Sequence, residues 1–199
     1  MKVMAVAVPS TVDPGGSGTV ADSTLADLRL AAALADLAAG RLEALATLWD
    51  LVSDDLFGLA LWRTGNRGDA EEALQETFVR LARAAGRMPR VSRPRAYLLA
   101  VAHRAAVDVV RKRRRSDPLE HAAELLAPTG DPGRRADAAH ASRLLLALQP
   151  KQREAVFLRH YADLSFADIG RVTGVPTFTA ASRYRLAIRR LRKQMGVEP

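Results

Sequence analysis

Residues 69–81 read Asp69-Ala-Glu-Glu-Ala-Leu-Gln-Glu-Thr-Phe-Val-Arg-Leu81. Ala70, Ala73, Leu74, Thr77, Phe78 and Leu81 recur at three- and four-residue spacing, which gathers them on one side of a helix. Asp69 stands at the start of that helix with Glu72 three residues later, the arrangement of a capping box. Glu72, Gln75, Glu76 and Val79 follow the same i, i+3, i+4, i+7 rule on the opposite side and form a single outward face. From chemistry alone this face is either a solvated surface, its acids favoured near the positive end of the helix dipole, or a docking surface.

Outward from this helix, apolar residues keep a helical period over 25–39, 42–61, 70–84 and 94–110, and no alternating strand pattern of comparable length occurs. These four segments predict one compact bundle. In the last of them Leu98, Val101, Ala102, Ala105 and Val109 face inward, leaving Arg104, Arg111 and Arg115 at helical spacing for phosphates. The run from Arg111 to Arg115 also suits a solvated helix end, where cations meet the negative end of the dipole.

Residues 116–139 hold Asp117-Pro118, Pro128, Gly130 and Asp131-Pro132-Gly133 and predict an acidic linker with a short helical piece around residues 121–126. Residues 1–24, with Pro14, Gly15, Gly16 and Gly18, predict a mobile tail. A second helical group occupies residues 140–196. Pro150 after Gln149 opens a helix at the position where a missing amide costs nothing. Ser165 and Asp168 suit the start of the next, Gly174-Val-Pro176 makes a tight turn, and Ala180, Tyr184, Ala187 and Leu191 form the inner side of the last helix. The fold class expected is all-α: two small helical domains joined by a flexible linker, the C-terminal one with a helix-turn-helix.

Charge follows the same division. Of 199 residues, 30 are Lys or Arg and 22 are Asp or Glu, for a net charge of +8. Residues 1–76 carry 5 basic and 12 acidic side chains, and residues 77–115 carry 12 and 1. Residues 116–140 carry 2 and 5, and residues 141–199 carry 11 and 4. Two basic territories separated by an acidic connector suit two contacts on one long polyanion such as DNA. The plainer alternative is solubility charge. The chain has no cysteine, and His103, His121, His140 and His160 lack metal-ligand spacing, so no metal or cofactor is expected and a reducing cytoplasm fits. The apolar stretch from Val3 to Val8 is short for a secretory signal, and no run of 18 apolar residues predicts a membrane span.

The segment Asp69-Ala-Glu-Glu-Ala-Leu-Gln-Glu-Thr-Phe78 resembles the second conserved region of bacterial sigma factors of the sigma-70 family, in particular the extracytoplasmic-function (ECF) group. The resemblance implies that Glu72, Gln75, Glu76 and Val79 face core RNA polymerase, chiefly its beta-prime subunit, with the beta subunit as a further contact. Val101-Ala-His-Arg-Ala-Ala-Val-Asp108-Val-Val-Arg-Lys-Arg-Arg-Arg115 resembles the same family's −10 helix, which implies DNA contacts for Arg104, Asp108, Arg111, Lys112, Arg113, Arg114 and Arg115. Here Arg104 stands where Asn is usual and Tyr97 where Trp is frequent, and the preceding loop offers Met88 and Val91 but no aromatic ring.

Ser165-Phe-Ala-Asp-Ile-Gly170, Gly174-Val-Pro176 and Thr179-Ala-Ala-Ser-Arg183 resemble the helix-turn-helix that reads the −35 element. Thr179, Ser182 and Arg183 are then candidates for bases or nearby phosphates, and Arg185, Arg189 and Arg190 for the DNA backbone. Ala181, Leu186 and Ile188 stand where basic residues are common.

The resemblance implies an alternative sigma factor, not an enzyme: a region-2-like domain over residues 25–115 and a region-4-like domain over 140–196. Its partners are core RNA polymerase, promoter DNA and an anti-sigma factor. The competing readings are a stand-alone helix-turn-helix regulator and a nucleic-acid enzyme. The second would need a carboxylate cluster or an activated nucleophile, whose spacing the chain lacks.

Overall fold

The computed structural model describes residues 19–116 and 142–196. Most of the tail expected over 1–24 and the linker expected over 116–139, with its helical piece near 121–126, lie outside the described residues. All regular elements among the described residues are helices.

The first lobe contains α1 (Thr19–Ala38), α2 (Ala44–Thr64), α3 (Arg67–Ala84) and α4 (Pro94–Ser116). α1 begins six residues before Leu25, where the apolar period starts, so part of the expected tail is helical. Its Leu30, Leu34 and Leu37 are buried with Leu48, Val52, Leu56 and Leu59 of α2 and with Leu81, Leu98 and Leu99. A second cluster combines Leu61 and Val109 with the small residues Ala60, Ala70, Ala73, Ala105 and Ala106, which let α2, α3 and α4 approach closely. The expected capping box at Asp69 is not formed. The cap of α3 is Asn66, whose side chain accepts from the Asp69 amide at 3.0 Å, while Asp69 sits in the first turn and pairs with Arg113. Asn66 is in extended geometry and, like Asp, carries a short acceptor, so the cap moves three residues upstream without changing its chemistry.

The second lobe follows a helical stretch over residues 142–146 with α5 (Pro150–His160), α6 (Phe166–Thr173) and α7 (Thr177–Gln194). Pro150 opens α5 as expected, and the Gln152 side chain accepts from the Gln149 amide at 3.3 Å. Ser165 caps α6, and Gly174 ends it in the left-handed region at φ 69°.

The two lobes are packed together. One apolar cluster runs from α1, α2 and α4 into Phe157, Leu158, Leu164, Ile169 and Val172, and α5 lies against α2 while α6 lies against α4. Trp62 meets Phe157 and Tyr161 at ring-centroid distances of 5.5 and 5.2 Å. Polar groups are buried beside these rings. Arg153 donates to the Trp62 carbonyl, and His103 Nδ1 donates to the carboxylate of Glu154, which also lies 3.9 Å from Arg63. Glu154 and Arg153 are only 1% and 3% exposed. At the edge of the seam Arg93 grips Asp168 with two contacts of 2.6 and 2.8 Å.

Burial pushes the Asp168 carboxyl upward, but hydrogen bonds from Ser165 and Arg93 and the charges of Arg93 and Arg171 outweigh it and hold the group below the usual aspartate range. Burial and the neighbouring Arg63 lower Arg153, which nonetheless remains a cation.

Two outcomes follow from the seam. Glu154→Ala leaves Arg63 and His103 facing a buried void and should cost about 3–5 kcal/mol in urea unfolding, whereas a loss no larger than that of an exposed acid would show that the seam is not formed. Asp168 is ionised in the fold down to lower pH than in the unfolded chain, where aspartate titrates near about 3.9. Its contribution is therefore present above that pH and is lost as pH falls through the lower folded value. Asp168→Asn should lower stability at neutral pH by about 1–2 kcal/mol, and the gap to wild type should close in strong acid. A gap independent of pH contradicts the assignment.

Candidate polymerase and DNA interfaces

α3 turns Ala70, Ala73, Leu74, Thr77 and Leu81 into the core, which leaves Glu72, Gln75 and Val79 exposed and Glu76 half-buried. The basic part of α4 lies alongside, and the two helices line an open groove bounded by Glu72, Gln75, Glu76, Val79, Asp108 and Arg115. Ion pairs cross it. Lys112 reaches Glu72 at 3.0 Å, and Arg80 bridges Glu76 at 2.8 Å and Asp108 at 2.9 Å. Arg111 meets the other oxygen of Asp108 at 2.9 Å. Hydrogen bonds to Glu76 and Asp108 raise Arg80 further above its already high range. Pairs as exposed as these contribute about 0–1 kcal/mol each, so a partner could exchange them at small cost.

The candidate residues of α4 divide into two sets. Arg104 is exposed two turns nearer the N-terminal end of α4, lining a smaller cleft with Arg80, Leu81, Tyr97 and Val101. Met88 and Val91 of the preceding loop are half-buried against the core. Arg111, Lys112, Arg114 and Arg115 are exposed near the C-terminal end, whereas Arg113 is half-buried against Asp69. The Asp108 carboxylate lies between the guanidinium groups of Arg80 and Arg111.

In the second lobe, the α6-to-α7 turn depends on a close backbone approach. The Val175 amide donates to the Gly170 carbonyl at 2.9 Å, and a Cβ on Gly170 would lie 2.7 Å from the Val175 carbonyl oxygen. Ile169 and Val172 of α6 and Ala180 and Ala187 of α7 are buried, with Tyr184, Ile188 and Leu191 half-buried beside them. Tyr184 packs on Phe166 and meets His160 through its hydroxyl at 2.9 Å, so it serves the lobe's own packing. The outer side of α7 presents Arg185, Arg189 and Arg190 to solvent, with Thr179, Ser182 and Arg183 partly exposed.

Three functional-looking residues escaped the sequence reading. Glu154 and His103 belong to the seam, which joins positions 51 residues apart and leaves no local signal. Phe178, at the head of α7, is 72% exposed, and the signal for it was an aromatic residue in an otherwise polar first turn. Among the described residues no group of three or more His, Asp or Glu is placed to hold a metal ion, and no helix is long and apolar enough to cross a membrane.

Comparison with known proteins fits this architecture. Residues 48–116 match the family model of sigma-70 region 2, and residues 141–191 that of sigma-70 region 4. An ECF RNA polymerase sigma factor SigK of Mycolicibacterium vanbaalenii is 30% identical over 194 residues, covering 90% of this chain and 96% of the relative. SigK of Mycobacterium bovis is 29% identical over 167 residues, covering 77% and 87%. Two solved structures share the fold. The sigma factor RpoE of Bartonella quintana, in complex with the anti-sigma factor NepR, has a TM-score of 0.65 at 23% identity and covers 77% of this chain and 98% of its own. CnrH, in complex with the cytosolic domain of CnrY, has a TM-score of 0.63 at 20% identity and covers 87% and 99%. With both regions in family order and a relative aligned along nearly its whole length, this chain belongs to the ECF group of RNA polymerase sigma factors.

Proposed function

We infer that the chain acts as an alternative sigma factor, binding core RNA polymerase and directing it to specific promoters. The observation that carries this reading is the presence in one chain, in order, of both sigma-70 regions, each with its polar face turned to solvent. The outward side of α3, with Glu72, Gln75, Glu76 and Val79, is the proposed polymerase surface. Its mixture of acids, an amide and an apolar side chain suits a protein partner with basic and apolar groups. Arg104, Arg111, Lys112, Arg113, Arg114 and Arg115 serve the −10 region, with Asp108 holding Arg111 in place. The cleft that pairs Tyr97 with Arg104 offers a ring and a cation for an unstacked base, the role for which the loop over 85–93 has no aromatic residue.

In the second lobe α7 lies in the major groove of the −35 region. Thr179, Ser182 and Arg183 near its N-terminus meet bases or adjacent phosphates, and Arg185, Arg189 and Arg190 meet the backbone. Two DNA contacts carried by one chain gain effective concentration for the second once the first is made. The chain supplies binding and positioning, and the polymerase supplies the chemistry. The cytoplasm is its place of action. An anti-sigma protein is a fitting regulator, since the solved neighbour RpoE was captured with one.

Two experiments test these assignments. Glu72→Arg combined with Glu76→Arg should weaken binding to core polymerase at least about tenfold with helicity unchanged, while Arg183→Ala should leave core binding as in wild type. Equal binding by the double variant would remove α3 as the docking surface. Promoter affinity of the holoenzyme should fall steeply with added salt, and replacing Arg114 and Arg115 by Gln should reduce the log–log slope by up to about 2. An unchanged slope places both arginines off the DNA.

A further inference from the structure

Phe178 is the second residue of α7 and, at 72% exposed, the most exposed large apolar side chain among the described residues. Its ring stands outside the apolar clusters of both lobes, and α7 packs instead through Ala180 and Ala187 with Tyr184, Ile188 and Leu191. The fold therefore gives no reason for an aromatic residue at this point.

Helical phase places Phe178 on a stripe with Ser182, Arg185 and Arg189, at steps of four, three and four residues. Arg185 and Arg189 are exposed, Ser182 is partly so, and α7 contains no acidic residue. The stripe thus has a bare ring at its leading end and cations behind it, over about 16 Å of helix. Cations along a stripe of a helix without acids suit an anionic partner, and that favours DNA over a protein surface. Where the N-terminal end of such a helix enters the major groove, the apolar feature it meets on a base edge is the 5-methyl group of thymine.

We propose that Phe178 is a specificity-determining residue of the recognition helix, its ring packing on the methyl group of one thymine in the −35 element. The assignment deepens, and rests on, the reading of α7 as the groove-entering helix. It also accounts for the exposure: the ring remains uncovered until duplex DNA covers it. Thr179, Ser182 and Arg183 then read neighbouring positions by hydrogen bonding, and Phe178 adds a contact that no hydrogen bond supplies.

The test uses the full chain assembled with core polymerase. Duplexes with a randomised −35 region are selected for holoenzyme binding, and each thymine in the enriched sequence is then replaced singly by deoxyuridine, which pairs identically but lacks the methyl group. At one position the replacement should weaken wild-type holoenzyme about fourfold, the size expected for one methyl group removed from an apolar contact. Phe178→Ala holoenzyme should bind the thymine duplex more weakly than wild type and treat thymine and deoxyuridine at that position alike. Because the side chain is exposed, the variant should keep its unfolding midpoint. An enriched sequence in which deoxyuridine costs wild type and Phe178→Ala equally overturns the proposal alone. No enriched −35 sequence overturns the groove-helix reading and the proposal with it. Loss of core polymerase binding by Phe178→Ala overturns it in favour of a protein contact.

Discussion

Glu154 is the constraint on which the arrangement of the molecule depends. A carboxylate that is 1% exposed in a seam of aromatic and aliphatic side chains is tolerable only if its charge is answered locally, and here His103 and Arg63, from the other lobe, answer it. Beside it Arg153, equally buried, spends its guanidinium on the Trp62 carbonyl. These contacts restrict how α5 can lie across α2 and α4 more narrowly than apolar packing alone would, because hydrogen bonds demand direction. Once α5 is set, α6 falls against α4 under the Arg93–Asp168 clamp, and the outer side of α7 is left to solvent.

The charges of the molecule thus fall into two kinds with different uses. In the seam they are desolvated and matched, so removing one partner is costly. On the groove between α3 and α4 they are exposed, and Lys112, Arg80 and Arg111 answer Glu72, Glu76 and Asp108 at little net gain. Such pairs keep long side chains extended over the groove and solubilise a face that is strongly acidic on one helix and strongly basic on the next. They also present each charge in a fixed place, which suits a surface that exchanges internal partners for a polymerase subunit or a phosphate backbone.

The regular part of this architecture was legible in the sequence. The apolar period gave α2 and α3 to within three residues at each end and α4 to within six, and Gly174-Val-Pro176 with Ser165 marked the turn and the cap of the helix-turn-helix. The misses have physical causes. Asn66 and Asp69 are both competent caps three residues apart, and only the extended backbone of Asn66 decides between them. The first turn of α1, beginning at Thr19, has no apolar period to reveal it. Glu154, Arg153 and His103 looked like ordinary helix residues because their partners lie 51 to 91 positions away. The candidate contact residues were recognisable by family resemblance and helical face, but the pairing of Asp108 with Arg80 and Arg111 depends on two helices meeting, which no local pattern encodes.

The central claim is that this chain gives core RNA polymerase a promoter preference that neither has alone. Mapping the 5′ ends of transcripts made by core polymerase on a complex mixture of bacterial DNA, with and without the full chain, tests it most directly. The account predicts discrete start sites that appear only with the chain present, each preceded by two separated sequence elements held at a fixed spacing. Sequence-selective duplex binding by the chain alone, with no new start sites on adding it to core polymerase, would contradict the account and leave a stand-alone regulator in its place.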